Sequence, residues 1–255
     1  CALALERNKP AAEAIRKSGF DVCCHGWRWV RHFQLSEAEE REHIAKAVKS
    51  FQQTVGQTPA GWYCRYGPSV NTRRLVVEHG GFTYDSDYYG DELPFWQTVE
   101  GKPHLVVPYS LTNNDGKYAA GMTISDQWFN LCKDAFDVLY KEGATQPKMM
   151  SIGLHMRLIG HPARTAGLWR LLDYIGQQKG VWITRRRAIR SRIHSCYSAS
   201  FRGPRMRLLT FLGLAALLAS CALTPAERAP LKLTILHTND HHGRFWPNAD
   251  GEYGL

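Results

Sequence analysis

From residue 11 to residue 184 the chain alternates short apolar runs with longer stretches whose apolar residues recur at helical spacing. That alternation is the pattern of a mostly parallel sheet, because each crossover between parallel strands needs a connection long enough to be a helix. A helix is expected over 11–17, stopped by Gly19, and a strand over 20–24. Ser36 and Glu39 form a capping-box pair ahead of Ile44, Val48, Phe51 and Val55, which share one helical face, and Gly56 and Pro59 close that segment. Further strands are expected near Trp62 and Tyr63 and over 82–85, 106–109, 148–154 and 181–184. Helices are expected to open at Asn71 and to span 125–142 and 164–178. The fold class implied is α/β, and 255 residues suit either a single barrel of about 250 or one and a half ordinary domains, between which length does not decide.

The texture changes at Arg185. Arg185, Arg186, Arg187, Arg190, Arg192, Arg202, Arg205 and Arg207 lie in a stretch free of acids and carry eight of the nine net positive charges. The body, residues 1–184, is left nearly neutral, which excludes a phosphate-backbone footprint on the fold and takes nucleic acid off the list of partners. Residues 185–205 show little apolar periodicity and are expected to be a basic disordered joint. Met206, Arg207 and the apolar run 208–219 then read as a signal-peptide start, too short for the ~20 residues of a bilayer span. Residues 218–221 have the form of a lipoprotein cleavage box, so 206–221 is a signal-like segment and 222–255 a separate fragment. No stable membrane association is expected, since an internal signal has little chance once a folded body precedes it. Seven cysteines with no C-x-x-C pair exclude a disulfide framework and a zinc knuckle, and point to a reducing, cytoplasmic compartment. The chain opens on Cys1 where Met is usual and is read as a fragment.

Barrels of this kind collect functional groups at the carboxyl ends of their strands. His25 follows the strand over 20–24 and His155 the strand over 148–154, so both are expected at the barrel mouth. Paired histidines there suit acid–base work or metal ligation, and a buried structural histidine is the competing reading at each position. Asp85, Asp87 and Gly90 match positions 1, 3 and 6 of a calcium loop, but Tyr89 and Trp96 stand at positions 5 and 12, which excludes that site.

Residues 24–29 (Cys-His-Gly-Trp-Arg-Trp), 61–63 (Gly-Trp-Tyr), 71–75, 84–87, 93–96 and 152–160 together resemble the polysaccharide deacetylase (NodB-like) superfamily, most of all its allantoinase branch. The resemblance covers residues 1–187 and implies a partial, distorted (β/α) barrel, incomplete at its amino end and followed by a poorly ordered tail. It implies hydrolysis of a carbon–nitrogen bond, namely the cyclic amide of allantoin in purine breakdown. A metal-dependent sugar deacetylase and a non-catalytic fusion are the alternatives. Deacetylases of the superfamily hold a metal with an Asp and two His four residues apart; four after His25 stands Trp29, whose indole offers no lone pair.

The resemblance therefore implies neither metal nor cofactor. His25 and His155 would be catalytic, and Trp29, Arg65, Asp85, Asp87 and Arg157 would contact substrate, the arginines facing developing oxyanion charge. Its expected partners are allantoin, as small-molecule substrate, and further copies of the chain in a homo-oligomer. The family's first-strand acidic pair would lie upstream of Cys1, so low turnover is expected from this chain alone, and His161 stands where an arginine is usual. Residues 233–243 separately resemble the opening strand of bacterial lipoprotein 5′-nucleotidases, in which Asp240 and His242 would be metal ligands. Too little chain follows to complete such a centre, and a gene-junction origin is expected for the whole.

Overall fold

The computed structural model describes residues 1–65, 67–201 and 232–238. Two helices lead, α1 (Ala2–Arg7) and α2 (Lys9–Ser18), the second capped by the Asn8 side chain, which accepts from the Ala11 amide. Gly19 ends α2 at φ 65°, a left-handed turn that glycine takes without steric cost. There follow β1 (Cys23–Cys24), α3 (Glu37–Thr54), β2 (Gly61–Trp62), α4 (Thr72–His79), β3 (Tyr84–Asp85), β4 (Phe95–Val99) and β5 (Lys102–Val106). The chain continues through α5 (Ser125–Glu142), β6 (Lys148–Leu154), α6 (Met156–Ile159), α7 (Pro162–Gly176), β7 (Val181–Thr184), α8 (Arg186–Phe201) and β8 (Lys232–Thr238). The capping box opens α3 as expected: Ser36 Oγ accepts from the Glu39 amide, and Glu39 Oε2 from the Ser36 amide.

Strands β1, β2, β3 and β5 run parallel in that order, with β4 antiparallel on the edge. Sequence patterning gave no sign of β4. It reaches β5 through Glu100 and Gly101 at φ 47° and 72°, a two-residue turn whose twist matches paired strands. A second parallel sheet runs β6, β8, β7, and an isolated backbone bridge pairs Asn114, in the loop after β5, with Gly153 of β6. The architecture is α/β, a partial and distorted (β/α) barrel with the carboxyl ends of its parallel strands at one rim.

Alternate residues along the strands serve different layers. Cys24 and Trp62 pack outward on Ile44 and Phe51 of α3 and on Leu75 and Val76 of α4. Met150, Ile152 and Leu154 do the same against Trp128, Cys132 and Phe136 of α5 and Leu171 and Ile175 of α7. One step along the chain, Cys23, Tyr84, Leu105, Val107 and Met149 fill the interior. Gly61 lies under Tyr84, where a Cβ would come 2.1 Å from the ring. Gly61→Ala should therefore cost about 1–3 kcal/mol by overpacking, read as a lower urea midpoint at unchanged slope. An unchanged midpoint would show that Tyr84 is loosely held.

One expectation needs correcting. Residues 186–201, placed in a disordered joint, form α8, because Ile189 is buried among Tyr84, Leu105, Val107 and Met149 and Ile193 joins them one turn on. Two apolar residues at i and i+4 suffice to fix a helix against an open barrel interior, despite the Arg- and Ser-rich composition around them. Residues 202–221, with the signal-like segment, lie outside the described residues. Of 222–255 the strand β8 is described, parallel between β6 and β7. Among the described residues no helix is long and apolar enough to cross a membrane.

Candidate functional site

His25, Tyr63, Asp87, Tyr109 and His155 follow the carboxyl ends of β1, β2, β3, β5 and β6, so parallel pairing alone gathers them at the rim. His25 is buried, its Nδ1 2.6 Å from the Tyr63 carbonyl and its ring stacked on the Tyr63 ring at 5.1 Å. A carbonyl only accepts, so Nδ1 carries the proton and Nε2 the lone pair. Tyr63 packs on Tyr109 at 4.6 Å and accepts from Tyr89 Oη at 3.2 Å. Tyr109 Oη accepts from Asn114 Nδ2 at 2.6 Å, and glycine at 153 admits this contact: a Cβ there would lie 2.0 Å from the hydroxyl. The aromatic wall thus runs unbroken from His25 to the Asn114 turn.

The next residue in that turn, Asp115, is fully buried and was not legible as functional in the sequence. Its Oδ1 accepts from His155 Nδ1 at 2.6 Å, while Oδ2 accepts the amides of His155 at 2.7 Å and Ile159 at 3.2 Å. The carboxylate therefore fixes both the ring tautomer and the start of α6. Proton exchange at His155 then runs through Nε2.

Trp29 and Arg65 come together. Arg65 NH1 donates to the Trp29 carbonyl at 3.1 Å and its guanidinium lies over the indole at 3.6 Å. This bears on the metal of the superfamily. Where a second imidazole would ligate, the chain has an indole covered by a cation, and an indole offers no lone pair. The donor set does not fit a catalytic metal.

Two further candidates separate. Asp85 does not face the site: Arg73 of α4 grips it from Nε at 2.7 Å and NH2 at 3.0 Å, His104 Nε2 lies at 2.9 Å, and the Asp87 amide donates at 3.0 Å. No oxygen is left for substrate, which corrects the expected contact; Asp85 instead ties β3 to α4. Burial pulls its carboxyl up, but the bonds from His104 and Arg73 outweigh this and hold it below the usual range. Asp87 receives the Cys64 amide at 2.9 Å, and burial with the neighbouring Asp85 charge pushes it up to about 7. Arg157, in the first turn of α6, has a buried NH1 with no hydrogen-bond partner among the described residues. Arg186 is another residue that sequence reading missed: α8 brings it inside, 5.2 Å from the Tyr109 ring. A cleft of about 430 Å³ between Phe20, Thr58 and Arg185 lies at the amino ends of β1 and β2, away from this chemistry.

Residues 2–84 match the polysaccharide deacetylase family. A Schizosaccharomyces pombe chain assigned as a polysaccharide deacetylase is 38% identical over 205 residues, covering 73% of this chain and 64% of its own length. The crystal structure of PuuE allantoinase matches with a TM-score of 0.72 at 46% identity, over 76% of this chain and 66% of the other. A Pseudomonas aeruginosa PAO1 structure assigned as a polysaccharide deacetylase gives 0.71 at 47%, with the same coverage. The chain thus spans just under two thirds of the length of these relatives. Its C-terminal part is similar to a Vibrio cholerae 5′-nucleotidase, 62% identical over 42 residues, which is 15% of this chain and 8% of that protein. Strand order, rim residues and relatives agree: the body of the chain is similar to polysaccharide deacetylases and to PuuE allantoinase, and residues 2–84 match the polysaccharide deacetylase domain.

Proposed function

We propose that the body of this chain is an amidohydrolase of the allantoinase type, opening the cyclic amide of allantoin without a metal. The observation that carries the reading is Trp29 under the Arg65 guanidinium, where a metal-using relative keeps an imidazole. Likeness to PuuE allantoinase adds support. His25, with its lone pair on Nε2, takes a proton from water as the water attacks the amide carbonyl. His155 gives a proton through Nε2 to the departing ring nitrogen, and Asp115 behind it stabilises the imidazolium before transfer. Arg157 faces the negative charge developing on the carbonyl oxygen, Arg65 and Trp29 hold the substrate's edge, and Asp87 accepts from its N–H groups. The free thiols of Cys23, Cys24, Cys64 and Cys132 suit a cytoplasmic site of action, and a homo-oligomer is part of the proposal.

The purified chain, offered allantoin or an N-acetylated chito-oligosaccharide with enzyme in excess, should form allantoate and release no acetate. Acetate release alone would favour the sugar deacetylase.

Asp87 gives a pH test. Its carboxyl is raised from 3.8 to about 7, so well below pH 3.8 both folded and unfolded chains hold it protonated. As pH rises towards 7 the unfolded chain ionises first, and stability falls. Compared with Asp87→Asn, the unsubstituted chain should lose up to roughly 4 kcal/mol more between pH 4 and 7, at 1.36 kcal/mol per tenfold. Parallel stability curves for the two proteins would count against the raised value.

A further inference from the structure

We propose that His32, Glu40 and Cys64 form a structural site for a zinc-like divalent cation, separate from the catalytic rim and not dependent on the allantoinase reading. His32 lies in the 3-10 turn His32–Gln34, Glu40 in the first turn of α3, and Cys64 just beyond β2, so three separate segments converge. All three side chains are buried, and one donor atom from each lies within 4.8 Å of the others. Bonds of about 2.0–2.3 Å in a tetrahedral site place donors roughly 3.3–3.8 Å apart, so the more distant donors must close in while His32 Nδ1 and Glu40 Oε1, 2.9 Å apart, give up their hydrogen bond to admit the ion.

Charge favours occupancy. A thiolate, a carboxylate and a neutral imidazole balance a dication, leaving a neutral unit in a buried place where any net charge is costly. Thiolate with imidazole selects zinc over magnesium or calcium. On binding, the Cys64 thiol passes its proton to solvent, the His32 proton moves from Nδ1 to Nε2, and sulfur, carboxylate oxygen and imidazole Nδ1 each give a lone pair with no electron transferred.

His32 Nε2, on the ring side away from Glu40 and beside Gly26, is buried with no hydrogen-bond partner among the described residues, and so is Nδ1 of His43, whose ring meets His32 edge-on at 6.2 Å. Glu40 also has the outer partners that steady a ligating carboxylate, accepting from Ser69 Oγ and Thr72 Oγ1 at 2.5 Å each. The consequence is local. The loop that carries His25 and Trp29, tied to α3 by the His32–Glu40 hydrogen bond at 2.9 Å, would be tied by the metal to both α3 and the end of β2 in its place.

The test uses the full chain, loaded with equimolar zinc, dialysed into metal-free buffer and measured by inductively coupled plasma mass spectrometry. About one zinc per chain is expected, falling at least tenfold in Cys64→Ser and in His32→Gln, either of which serves if the other misfolds by circular dichroism. Cobalt in place of zinc should give a near-ultraviolet sulfur-to-metal band that Cys64→Ser abolishes. His25→Ala and Asp240→Ala should retain the metal. Less than a tenth of an equivalent in the folded chain would overturn the site. So would full retention in Cys64→Ser and His32→Gln, or loss in His25→Ala or Asp240→Ala, which would place the ion elsewhere.

Discussion

His155→Ala is expected to slow allantoin opening by about 100- to 10,000-fold, the usual worth of a positioned general acid. The ring stands at the end of β6 with Nδ1 held 2.6 Å from a fully buried carboxylate, so its Nε2 is aimed and its charged form compensated before substrate arrives. Asp115→Asn should reproduce much of this loss in kcat with little change in KM, because the amide can reverse the tautomer while leaving the binding wall intact. Single-turnover measurement with enzyme in excess is the suitable check, since it separates the chemical step from product release. Turnover within threefold of the unsubstituted chain in His155→Ala would remove this residue from the chemistry.

Arg73→Ala should be the most destabilising of the surface-reaching substitutions, costing about 3–5 kcal/mol. It strips a bidentate partner from Asp85, whose side chain is 2% exposed, and leaves His104 as the sole remaining side-chain donor. Removing both charges, as Arg73→Met with Asp85→Leu, should recover much of the loss, because the cost lies in stranding a buried carboxylate. The sign with pH follows. Asp85 is held below its ordinary value, so the pair's contribution is present above about pH 4 and fades as pH falls, and Arg73→Ala should blunt acid unfolding. Equilibrium urea unfolding at pH 7 and pH 3 reads both effects. A loss under 1 kcal/mol at pH 7 would show that His104 alone satisfies Asp85.

The elements written most plainly in the sequence were those with chemistry at their ends. Ser36 and Glu39 announced α3, and Gly19 the close of α2, because caps are local and carry their own hydrogen bonds. The parallel strands were legible as apolar runs but not in length: β1, β2 and β3 are two residues each, since pairing in a distorted barrel depends on distant neighbours. The strand β4 escaped because its signal is a turn at Glu100 and Gly101, and Glu rarely takes positive φ. Helix α8 escaped because two isoleucines among arginines meet a core visible only once the barrel is built.

At the site, His25 and His155 could be placed from strand ends alone. Asp115 could not: it sits 40 residues from its histidine in an Asn-Asn-Asp-Gly turn whose residues read as ordinary loop chemistry. Asp85 and Asp87 are indistinguishable by spacing. Only the fold shows one spent on Arg73 and the other raised by burial.

The central claim, that organic groups rather than an ion activate water at this rim, is tested most directly by allantoin opening in Cys64→Ser stripped of metal with chelator. That background removes the proposed structural zinc, so any remaining metal dependence belongs to the rim. The expected result is an opening rate unchanged by chelator and unchanged by added zinc. Loss of activity on stripping with recovery on one equivalent of zinc, abolished again by His25→Ala, would contradict it.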